Sequence, residues 1–514
     1  MTAEKNANNQ PQSYDMLVIG GGINGTAIAR DAAGRGLSVL LCERDDLASH
    51  TSSASTKLIH GGLRYLEHYD FRLVRESLKE REVLLRAAPH IIWPMRFVLP
   101  YDEGLRPKWI LRLGLFLYDN LGGRELLPGT KTRKLTDPIY DELETRFTTG
   151  YEYSDCWVED SRLVTLYAMD AARCGADIRT QTEVISIRGE GGAYAVELRT
   201  GNDKNDEIIE TITAKGIVNA AGPWVETLSE IAAAGTQTQG GKPHASSLRL
   251  VKGSHIVVPK MFDDPHAYIF QNADDRVVFA IPYEHDFTLI GTTDVPHEKA
   301  DDLPEASAKE IAYLCECVNE YFEKDISPED VVWTYSGVRP LYDDKAAEAS
   351  EVTRDYVLGL DTPVKGAPFL SVYGGKITTS RKLADHVMEK LEDFYPKMGK
   401  PWTRKAHLPG GDIKDADFEA FYQTQRKAYP DIDPTQLLRM ARRYGTCLTE
   451  VLKNGLGQDF GGTLCEADIR YMVKAEWAKS ADDILWRRTR CGLHMSAEQR
   501  IAFAEWFEAN ITFT

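Results

Sequence analysis

The stretch that decides the fold reads Asp15-Met-Leu-Val-Ile-Gly-Gly-Gly-Ile-Asn-Gly-Thr-Ala-Ile-Ala-Arg-Asp-Ala-Ala-Gly-Arg-Gly-Leu-Ser-Val-Leu-Leu-Cys-Glu43. Apolar runs at residues 16–19 and 38–42 are typical of buried strands, and they flank a segment with a helix-forming composition. The turn before that helix carries a G-x-G-x-x-G pattern formed by Gly20, Gly22 and Gly25. The order of strand, glycine turn, helix and strand predicts one βαβ unit.

Each glycine of this turn has a physical role in binding a dinucleotide. Gly20 allows the tight turn, Gly22 lets the backbone approach a pyrophosphate, and Gly25 lets helix and strand pack closely. Glu43 ends the second strand, where a carboxylate can accept hydrogen bonds from the hydroxyls of an adenosine ribose. The acid favours NAD or FAD over NADP, which would require an arginine there. The alternative is a turn that is merely rich in glycine.

Composition excludes several classes of function. The chain has 514 residues, 43% hydrophobic and 27% charged, with a formal net charge of -17. This charge argues against general nucleic-acid binding, because a phosphate backbone would be repelled. The eight cysteines include no C-x-x-C pair and no ligand-like spacing to histidine, so we expect no iron-sulfur cluster, zinc site or other metal.

The N-terminus gives no sign of a targeting segment. Residues 1–13 are polar and lack the basic region and apolar core of a signal peptide, so a disordered tail is expected. No stretch has the roughly eighteen apolar residues of a membrane span. We therefore expect a cytoplasmic protein that can still touch a membrane surface.

The rest of the chain predicts an α/β fold, α+β overall. A β-meander is expected at residues 184–188, 194–199 and 207–213, and a further buried strand follows within residues 215–224. Strand-like runs at 253–259, 277–282 and 288–294 predict an antiparallel sheet that forms one wall of a second site. We therefore assign residues 14–400 to a Rossmann-like nucleotide-binding domain interleaved with a substrate-binding domain. Residues 401–514, which have helical spacing, form a helical C-terminal domain.

Several loops have compositions suited to holding a flat, phosphorylated cofactor. Hydroxyl side chains at residues 50–57 can donate to phosphate and ribose oxygens, although a serine-rich surface loop is the alternative. Glycine pairs at 61–62 and 374–375 let backbone lie against a ring. The cofactor-binding candidates outside the first turn are Thr51, Ser52, Ser55, Lys57, Gly61, Gly62, Ala221, Gly222, Trp224, Gly374, Gly375, Lys376 and Thr378.

The helix predicted at residues 107–118 is the most apolar in the chain. It carries Arg106, Lys108 and Arg112 beside Trp109 and Phe116. This combination suits a helix lying in a membrane interface, with cations toward anionic lipid. It also suits a helix buried between domains, which the residues alone favour.

Together these segments resemble the FAD-dependent glycerol-3-phosphate dehydrogenases, in particular the bacterial aerobic, respiratory kind. The resemblance covers nearly the whole chain. It is carried by the glycine turn and by the motifs at residues 51–55, 57–66, 153–157, 219–224, 252–259, 290–294, 333–341, 374–379 and 482–489.

The resemblance implies FAD bound non-covalently and oxidation of sn-glycerol 3-phosphate to dihydroxyacetone phosphate by hydride transfer to flavin N5. It also implies that electrons pass to ubiquinone, and that the enzyme sits peripherally at the cytoplasmic face of the bacterial inner membrane. It favours contact of the protein with the anionic membrane surface. A homodimer is expected from the family alone.

The reaction requires a base at the hydroxyl and cations at the phosphate. His60 and His255 are the candidate bases, with His60 preferred. Arg64, Arg339 and Lys376 are the candidate cations, because guanidinium and ammonium groups suit a phosphate dianion. One of them can instead stabilise a developing alkoxide, and Arg339 is also taken as catalytic. Tyr65 is a further substrate-binding candidate, although a role as a core aromatic is the alternative.

Two other functions fit parts of the pattern. A glycerol-3-phosphate oxidase would share the flavin site but reduce oxygen to hydrogen peroxide. A non-catalytic FAD sensor or scaffold would be expected to lack several of His60, Arg64, Arg339 and Lys376, and all four are present.

Overall fold

A computed structural model describes residues 11–66, 69–102, 107–201, 208–236, 248–272, 274, 276–343 and 355–513, without the side chain of Arg64. Residues 1–10 of the predicted tail lie outside these ranges.

The described strands are β1 (Ser13–Ile19), β2 (Val39–Cys42), β3 (Leu58–Ile59), β4 (Ile92–Pro100), β5 (Lys131–Lys134), β6 (Thr149–Val158), β7 (Asp177–Arg179), β8 (Thr182–Glu190), β9 (Ala193–Thr200), β10 (Ile208–Asn219), β11 (Leu248–Pro259), β12 (Ala267–Gln271), β13 (Val277–Tyr283), β14 (Phe287–Gly291), β15 (Val295–Pro296), β16 (Trp333–Tyr342), β17 (Val357–Val364), β18 (Ala367–Tyr373), β19 (Asp459–Gly461) and β20 (Leu464–Cys465). The described α-helices are α1 (Ile23–Gly34), α2 (Phe71–Ala87), α3 (Lys108–Leu121), α4 (Asp160–Arg173), α5 (Val225–Thr236), α6 (Ala308–Asn319), α7 (Ser380–Lys390), α8 (Phe418–Ala428), α9 (Pro434–Tyr444), α10 (Leu448–Val451), α11 (Glu466–Ala475) and α12 (Ala497–Asn510).

The first sheet contains the predicted βαβ unit. Its strand order is β17-β18-β10-β1-β2-β7, parallel from β18 to β7, with β8 and β9 forming the meander beside β10. β10 is one continuous strand where the sequence predicted two. Its first half pairs antiparallel with β9 and its second half parallel with β1, so the meander and the central sheet share a strand.

Apolar side chains alternate along β1 and cover both faces of this sheet. Met16 and Val18 join the core formed with α1, α4 and α7. Leu17 and Ile19 point the other way, into a core shared with the meander and α5. A parallel sheet buried on both faces leaves its carboxyl edge as the place for a ligand.

The second sheet has ten strands in the order β15-β11-β14-β13-β12-β4-β6-β3, with β16 paired to β11 and β5 to β6. Its pairings are antiparallel except for β12 with β4. The register between β11 and β16 places Gly253 opposite Gly337 and His255 opposite Tyr335. This pair of strands brings the two predicted motifs of the second site together.

Beyond residue 401 the described chain is mainly helical. Helices α8 to α12 pack with a short β19-β20 hairpin and a π-helical turn at Asp483–Arg488. The predicted fold class, with a Rossmann-like unit, an antiparallel sheet and a helical C-terminal region, is confirmed.

Helix α3 is not buried between domains, so that alternative was wrong. Of its side chains only Leu115 and Tyr118 are buried. Trp109, Leu113 and Phe116 are 67%, 50% and 62% exposed, and their spacing places them on one face of the helix. Among the described helices, none has the length and apolar character needed to cross a bilayer.

Candidate active site

A cleft of about 320 Å³ opens at the carboxyl edge of the parallel sheet. Its walls come from the glycine turn, the end of β2, the segment after β10 and the turn after β18. The predicted cofactor residues that line it are Gly20, Gly22, Glu43, Thr51, Ser52, Ala221, Gly222, Trp224, Gly374 and Gly375.

The glycine turn has the close backbone contacts that the motif predicts. Gly20 has a φ of +110°, and a Cβ placed there would lie 2.5 Å from the carbonyl oxygen of Ala220. A Cβ on Gly25 would lie 1.9 Å from the carbonyl oxygen of Gly20. Helix α1 can therefore start directly behind the turn, with its N-terminus facing the cleft.

Glu43 is buried and already bonded to the turn. Its Oε2 accepts from the backbone N–H of Gly21 at 2.6 Å, and its Oε1 accepts from the N–H of Asp45 at 2.9 Å. Burial raises the pKa of Glu43, and these two donors oppose that shift. The carboxyl thus shapes the phosphate-binding turn as well as facing the predicted ribose position.

Glu43, Asp45 and His50 place possible ligand atoms within 4.8 Å of one another, a spacing that could hold a metal ion. Their contacts explain the cluster without one. Both oxygens of Glu43 accept backbone N–H groups, and Nε2 of His50 lies 2.8 Å from Oδ2 of Asp45.

The turn after β18 approaches the start of α1. Gly374 and Gly375 have φ values of +72° and +101°, and the carbonyl of Gly374 accepts from Nδ2 of Asn24 at 3.0 Å. The next residue, Lys376, places Nζ 3.7 Å from the centre of the Tyr65 ring. These contacts bring two predicted substrate-binding side chains together.

The segment around His60 lies against the same turn. The backbone N–H of His60 donates to Oγ1 of Thr378 at 3.2 Å. The N–H of Gly61 donates to the Tyr118 hydroxyl at 2.7 Å, and Gly62, with a φ of +77°, leaves room for the ring of Tyr65. The side chain of Arg64, another predicted cation, lies outside what the structure describes.

Arg339 lies on β16 in the second sheet, and its side chain is half-buried. Its guanidinium forms an ion pair with Asp294 and donates from Nη2 to Oγ1 of Thr292 at 2.8 Å. Gly253 makes room for it, since a Cβ there would lie 2.4 Å from Nη2. The sequence did not identify Asp294 as its partner, although the motif at 290–294 contains it.

His255 projects from β11 and is only 1% exposed. Its ring stacks on Tyr335 with centroids 4.7 Å apart, and its Nε2 lies 3.0 Å from Oγ1 of Thr56. Burial, with smaller contributions from the charges of Arg339 and Lys57, lowers the pKa of His255 well below its ordinary value. The imidazole is therefore neutral at pH 7 and able to accept a proton.

Ser55 and Lys57 do not line the cleft. Lys57 Nζ lies 2.8 Å from both carboxylate oxygens of Asp160, and the Ser55 hydroxyl donates to Oδ2 of Asp160 at 2.8 Å. Arg490, from the helical region, also donates to Asp160, at 3.4 Å. Burial lowers the pKa of Lys57, and the Asp160 charge opposes that shift. Sequence reasoning missed Asp160, which starts α4 at the end of a predicted motif.

Comparison with known proteins identifies two protein families that this sequence matches, one for each of two long segments. Residues 15–381 match the family described as FAD dependent oxidoreductase, and residues 401–507 match the C-terminal domain of alpha-glycerophosphate oxidase. D-erythritol 1-phosphate dehydrogenase of Brucella abortus is 53% identical over 97% of this chain and 98% of its own length.

Two further similar proteins are named for glycerol 3-phosphate. Aerobic glycerol-3-phosphate dehydrogenase of Escherichia coli is 46% identical over 96% of this chain and 97% of its own. The solved glycerol-3-phosphate dehydrogenase of Bacillus halodurans, complexed with FAD, superposes with a TM-score of 0.71 at 25% identity, covering 98% of this chain and 95% of that one. The glycine cradle, in which side chains would collide with backbone, fits the close approach that the FAD pyrophosphate requires.

Proposed function

We propose a function on the premise that this chain belongs to the FAD-dependent glycerol-3-phosphate dehydrogenase family and is an FAD-dependent oxidoreductase. It oxidises the secondary alcohol next to the phosphate-bearing carbon of a short polyol phosphate. The observation that carries this proposal is the shared face of β11 and β16, where buried, neutral His255 lies near the Arg339 guanidinium.

The flavin-side residues bind and orient the cofactor. Gly20, Gly22 and the N-terminus of α1 hold the pyrophosphate, and Glu43 faces the adenosine ribose. The turn at Gly374 and Gly375 lines the same cleft, beside Asn24 at the start of α1. When bound, FAD supplies the two-electron oxidant.

The substrate-side residues bind a dianion and take up a proton. Arg339 and Lys376 hold the phosphate, with Arg64 as a third cation and Tyr65 contacting the substrate beside Lys376. His255 is favoured over His60 as the base. The ring of His255 is buried, neutral and fixed by Tyr335.

The preferred substrate is sn-glycerol 3-phosphate, oxidised to dihydroxyacetone phosphate. A second candidate is D-erythritol 1-phosphate, favoured by the 53% identity to the Brucella dehydrogenase. Both compounds present a phosphate ester and a secondary alcohol on the neighbouring carbon. They differ in the length of the polyol beyond that alcohol.

We further propose that electrons pass to ubiquinone and that the enzyme works peripherally at the cytoplasmic face of the inner membrane, as a homodimer. The exposed apolar face of α3 supports the membrane contact, with Lys108 and Arg112 on the same helix to meet anionic headgroups. Reduction of oxygen to hydrogen peroxide remains the alternative fate of the electrons.

Anaerobic flavin bleaching tests the reaction. The purified enzyme is mixed with sn-glycerol 3-phosphate or D-erythritol 1-phosphate, and the flavin absorbance is followed. A larger ratio of reduction rate to dissociation constant identifies the substrate. Reoxidation that is fast with short-chain ubiquinone and slow with oxygen supports the dehydrogenase, and the reverse order supports the oxidase. Absence of bleaching with both phosphates would contradict the proposal.

Replacing Trp109 and Phe116 together by serine is expected to weaken membrane binding at least tenfold. Each large apolar side chain contributes about 1.5–3 kcal/mol when it leaves water, and a tenfold change needs about 1.4 kcal/mol. Sedimentation with vesicles containing anionic phosphatidylglycerol measures the partition. The control replaces Val332 and Ile501, which are 52% and 61% exposed elsewhere on the protein. Equal partition of the two double variants would rule out α3 as the contact.

A further inference from the structure

The segment before Lys57 is fastened to the sheet that carries His255. The Thr51 hydroxyl donates to the carbonyl of Val338 at 2.6 Å, and the Tyr335 hydroxyl donates to the carbonyl of Ser55 at 2.9 Å. These two hydrogen bonds join residues 51–55 to β16. They fix where the side chain of Thr56 can lie.

A buried cluster fastens the same segment from behind. Lys57 is fully buried, and its Nζ donates to the carbonyl of Ser53 at 3.1 Å as well as to Asp160. Asp160 also accepts from Ser55 and Arg490. Because the segment is bound on both sides, Thr56 has a fixed position relative to His255.

The ring of His255 is held in one orientation. Tyr335 stacks on it with planes 14° apart. Gly291 lies beside it on β14, and a Cβ there would be 2.1 Å from Cδ2 of His255. This packing opposes a ring flip, which would exchange Nε2 with Cε1 and Nδ1 with Cδ2.

The two nitrogens of His255 have different surroundings. Nε2 lies 3.0 Å from the Thr56 hydroxyl, whereas the buried Nδ1 has no hydrogen-bond partner among the described residues. A neutral imidazole carries one N–H, and the partner of one nitrogen decides which nitrogen keeps its lone pair. A proton on Nε2 that is donated to Thr56 would leave the lone pair of Nδ1 for a ligand.

The charges around the ring favour this neutral state. Arg339 on β16 and Lys57 on the loop are the positive groups that act on His255, beside the stacked phenol of Tyr335. Asp294 forms an ion pair with Arg339. Asp160 forms ion pairs with both Lys57 and Arg490. No carboxylate among the described residues is bonded to the ring itself, so no anion stabilises an imidazolium there.

We propose that Thr56 is a positioning residue whose hydroxyl oxygen accepts a hydrogen bond from Nε2–H of His255 and so fixes the tautomer in which Nδ1 takes the substrate hydroxyl proton. This inference rests on the proposed oxidation. In the step, the substrate O–H bond breaks and an N–H bond forms at Nδ1. The hydride from the adjacent C–H bond leaves to the bound cofactor, and the product is a ketone.

The test compares Thr56→Val, which has the same shape without a hydroxyl, with Thr56→Ser, which keeps it. Rapid anaerobic mixing from pH 5 to 10 separates the limiting rate of flavin reduction from the substrate dissociation constant. The probe is whichever of the two phosphates reduces the wild-type flavin. We expect Thr56→Val to lower the limiting rate at pH 7 by about 10–100-fold, less than the roughly 10²–10⁴-fold of general base catalysis, because Thr56 positions the base and does not itself take the proton. The dissociation constant should change less than threefold.

The pH profile has a predicted sign. The rate falls in acid as His255 becomes protonated, and it is constant above that point because the neutral ring is the base. Loss of the Thr56 oxygen removes an acceptor from the imidazolium, so the acid limb of Thr56→Val should move to lower pH. Thr56→Ser should restore the rate to within threefold of wild type. It should also return the acid limb of the pH profile to its wild-type position. A wild-type rate and profile in Thr56→Val would overturn the assignment.

A second measurement does not depend on the substrate. Nitrogen-15 NMR of histidine-labelled holoenzyme reports which ring nitrogen of His255 carries the proton, with the resonance assigned by its loss in His255→Asn. The assignment requires protonated Nε2 in the wild type and a mixture of tautomers in Thr56→Val. Protonated Nδ1 in the wild type would refute it even if both phosphates failed to bleach the flavin.

Discussion

Arg339→Ala should leave FAD bound and lower the rate of turnover on the order of a hundredfold or more. The half-buried guanidinium of Arg339 can make two hydrogen bonds to a phosphate. Each hydrogen bond to a charged group contributes about 1.5–3 kcal/mol, and each 1.36 kcal/mol is tenfold in rate. The flavin should stay bound because Arg339 lies on β16 and does not line the cofactor cleft. Flavin content by absorbance and steady-state kinetics check the two parts of this result.

Two further variants separate lost substrate contact from an uncompensated Asp294. Arg339→Lys keeps the charge but loses the planar fork that suits phosphate, so it should recover only part of the rate. Arg339→Ala with Asp294→Ala removes both members of the pair and should remain slow. Recovery in the double variant, or near-normal kinetics in Arg339→Ala, would show that Arg339 has no direct role. Arg276→Ala, at an exposed arginine paired with Asp274, is the matched control.

Asp160→Ala should reduce the free energy of unfolding by about 3–5 kcal/mol, because it leaves two buried cations without their counter-ion. The affected groups are Lys57 and Arg490, both nearly inaccessible to water. Denaturant unfolding of the FAD-bound protein measures the loss, and flavin fluorescence reports release of the cofactor. We expect release at a lower denaturant concentration than in the wild type.

The matched control is Asp263→Ala, which removes an ion pair with Lys260 in which the carboxylate is almost fully exposed. Exposed pairs contribute roughly 0–1 kcal/mol, so this variant should unfold close to wild type. Asp160→Asn keeps the side-chain size and loses the charge. If it unfolds like the wild type, the charge of Asp160 is not what holds the cluster.

Local pattern predicted many of the residues that line the cleft at the carboxyl edge of the first sheet. The roles of Gly20 and Gly25 could be predicted because a strand, a turn and a helix must approach one another closely within about ten residues of chain. The sequence predicted two strands where β10 is one. The halves of β10 pair with different strands, and strand pairing cannot be read from composition. The residues alone favoured burial of α3, since aromatic side chains such as Trp109 and Phe116 suit a core as well as a membrane.

The substrate end depends on contacts between distant parts of the chain. Lys57 and Asp160 are 103 residues apart, and Thr56 and His255 are 199 residues apart. The sequence identified Lys57 as a cofactor-binding candidate and His255 as a candidate base. It could not indicate that the lysine would bind a carboxylate beneath the loop, or that a threonine would meet the imidazole.

Two arginines of the helical region, Arg487 and Arg488, contact the loop that follows Glu43. Arg488 donates from both terminal nitrogens to the carboxylate of Asp46, which lies three residues after Glu43 and 442 residues before the arginine. During synthesis, Asp46 and the glycine turn leave the ribosome long before Arg488 is made. N-terminal segments fold first as a chain emerges, yet Asp46 lacks this counter-charge until the helical region has been made. The loop that follows Glu43 therefore cannot complete its charge pairing while only the nucleotide-binding part of the chain has been synthesised.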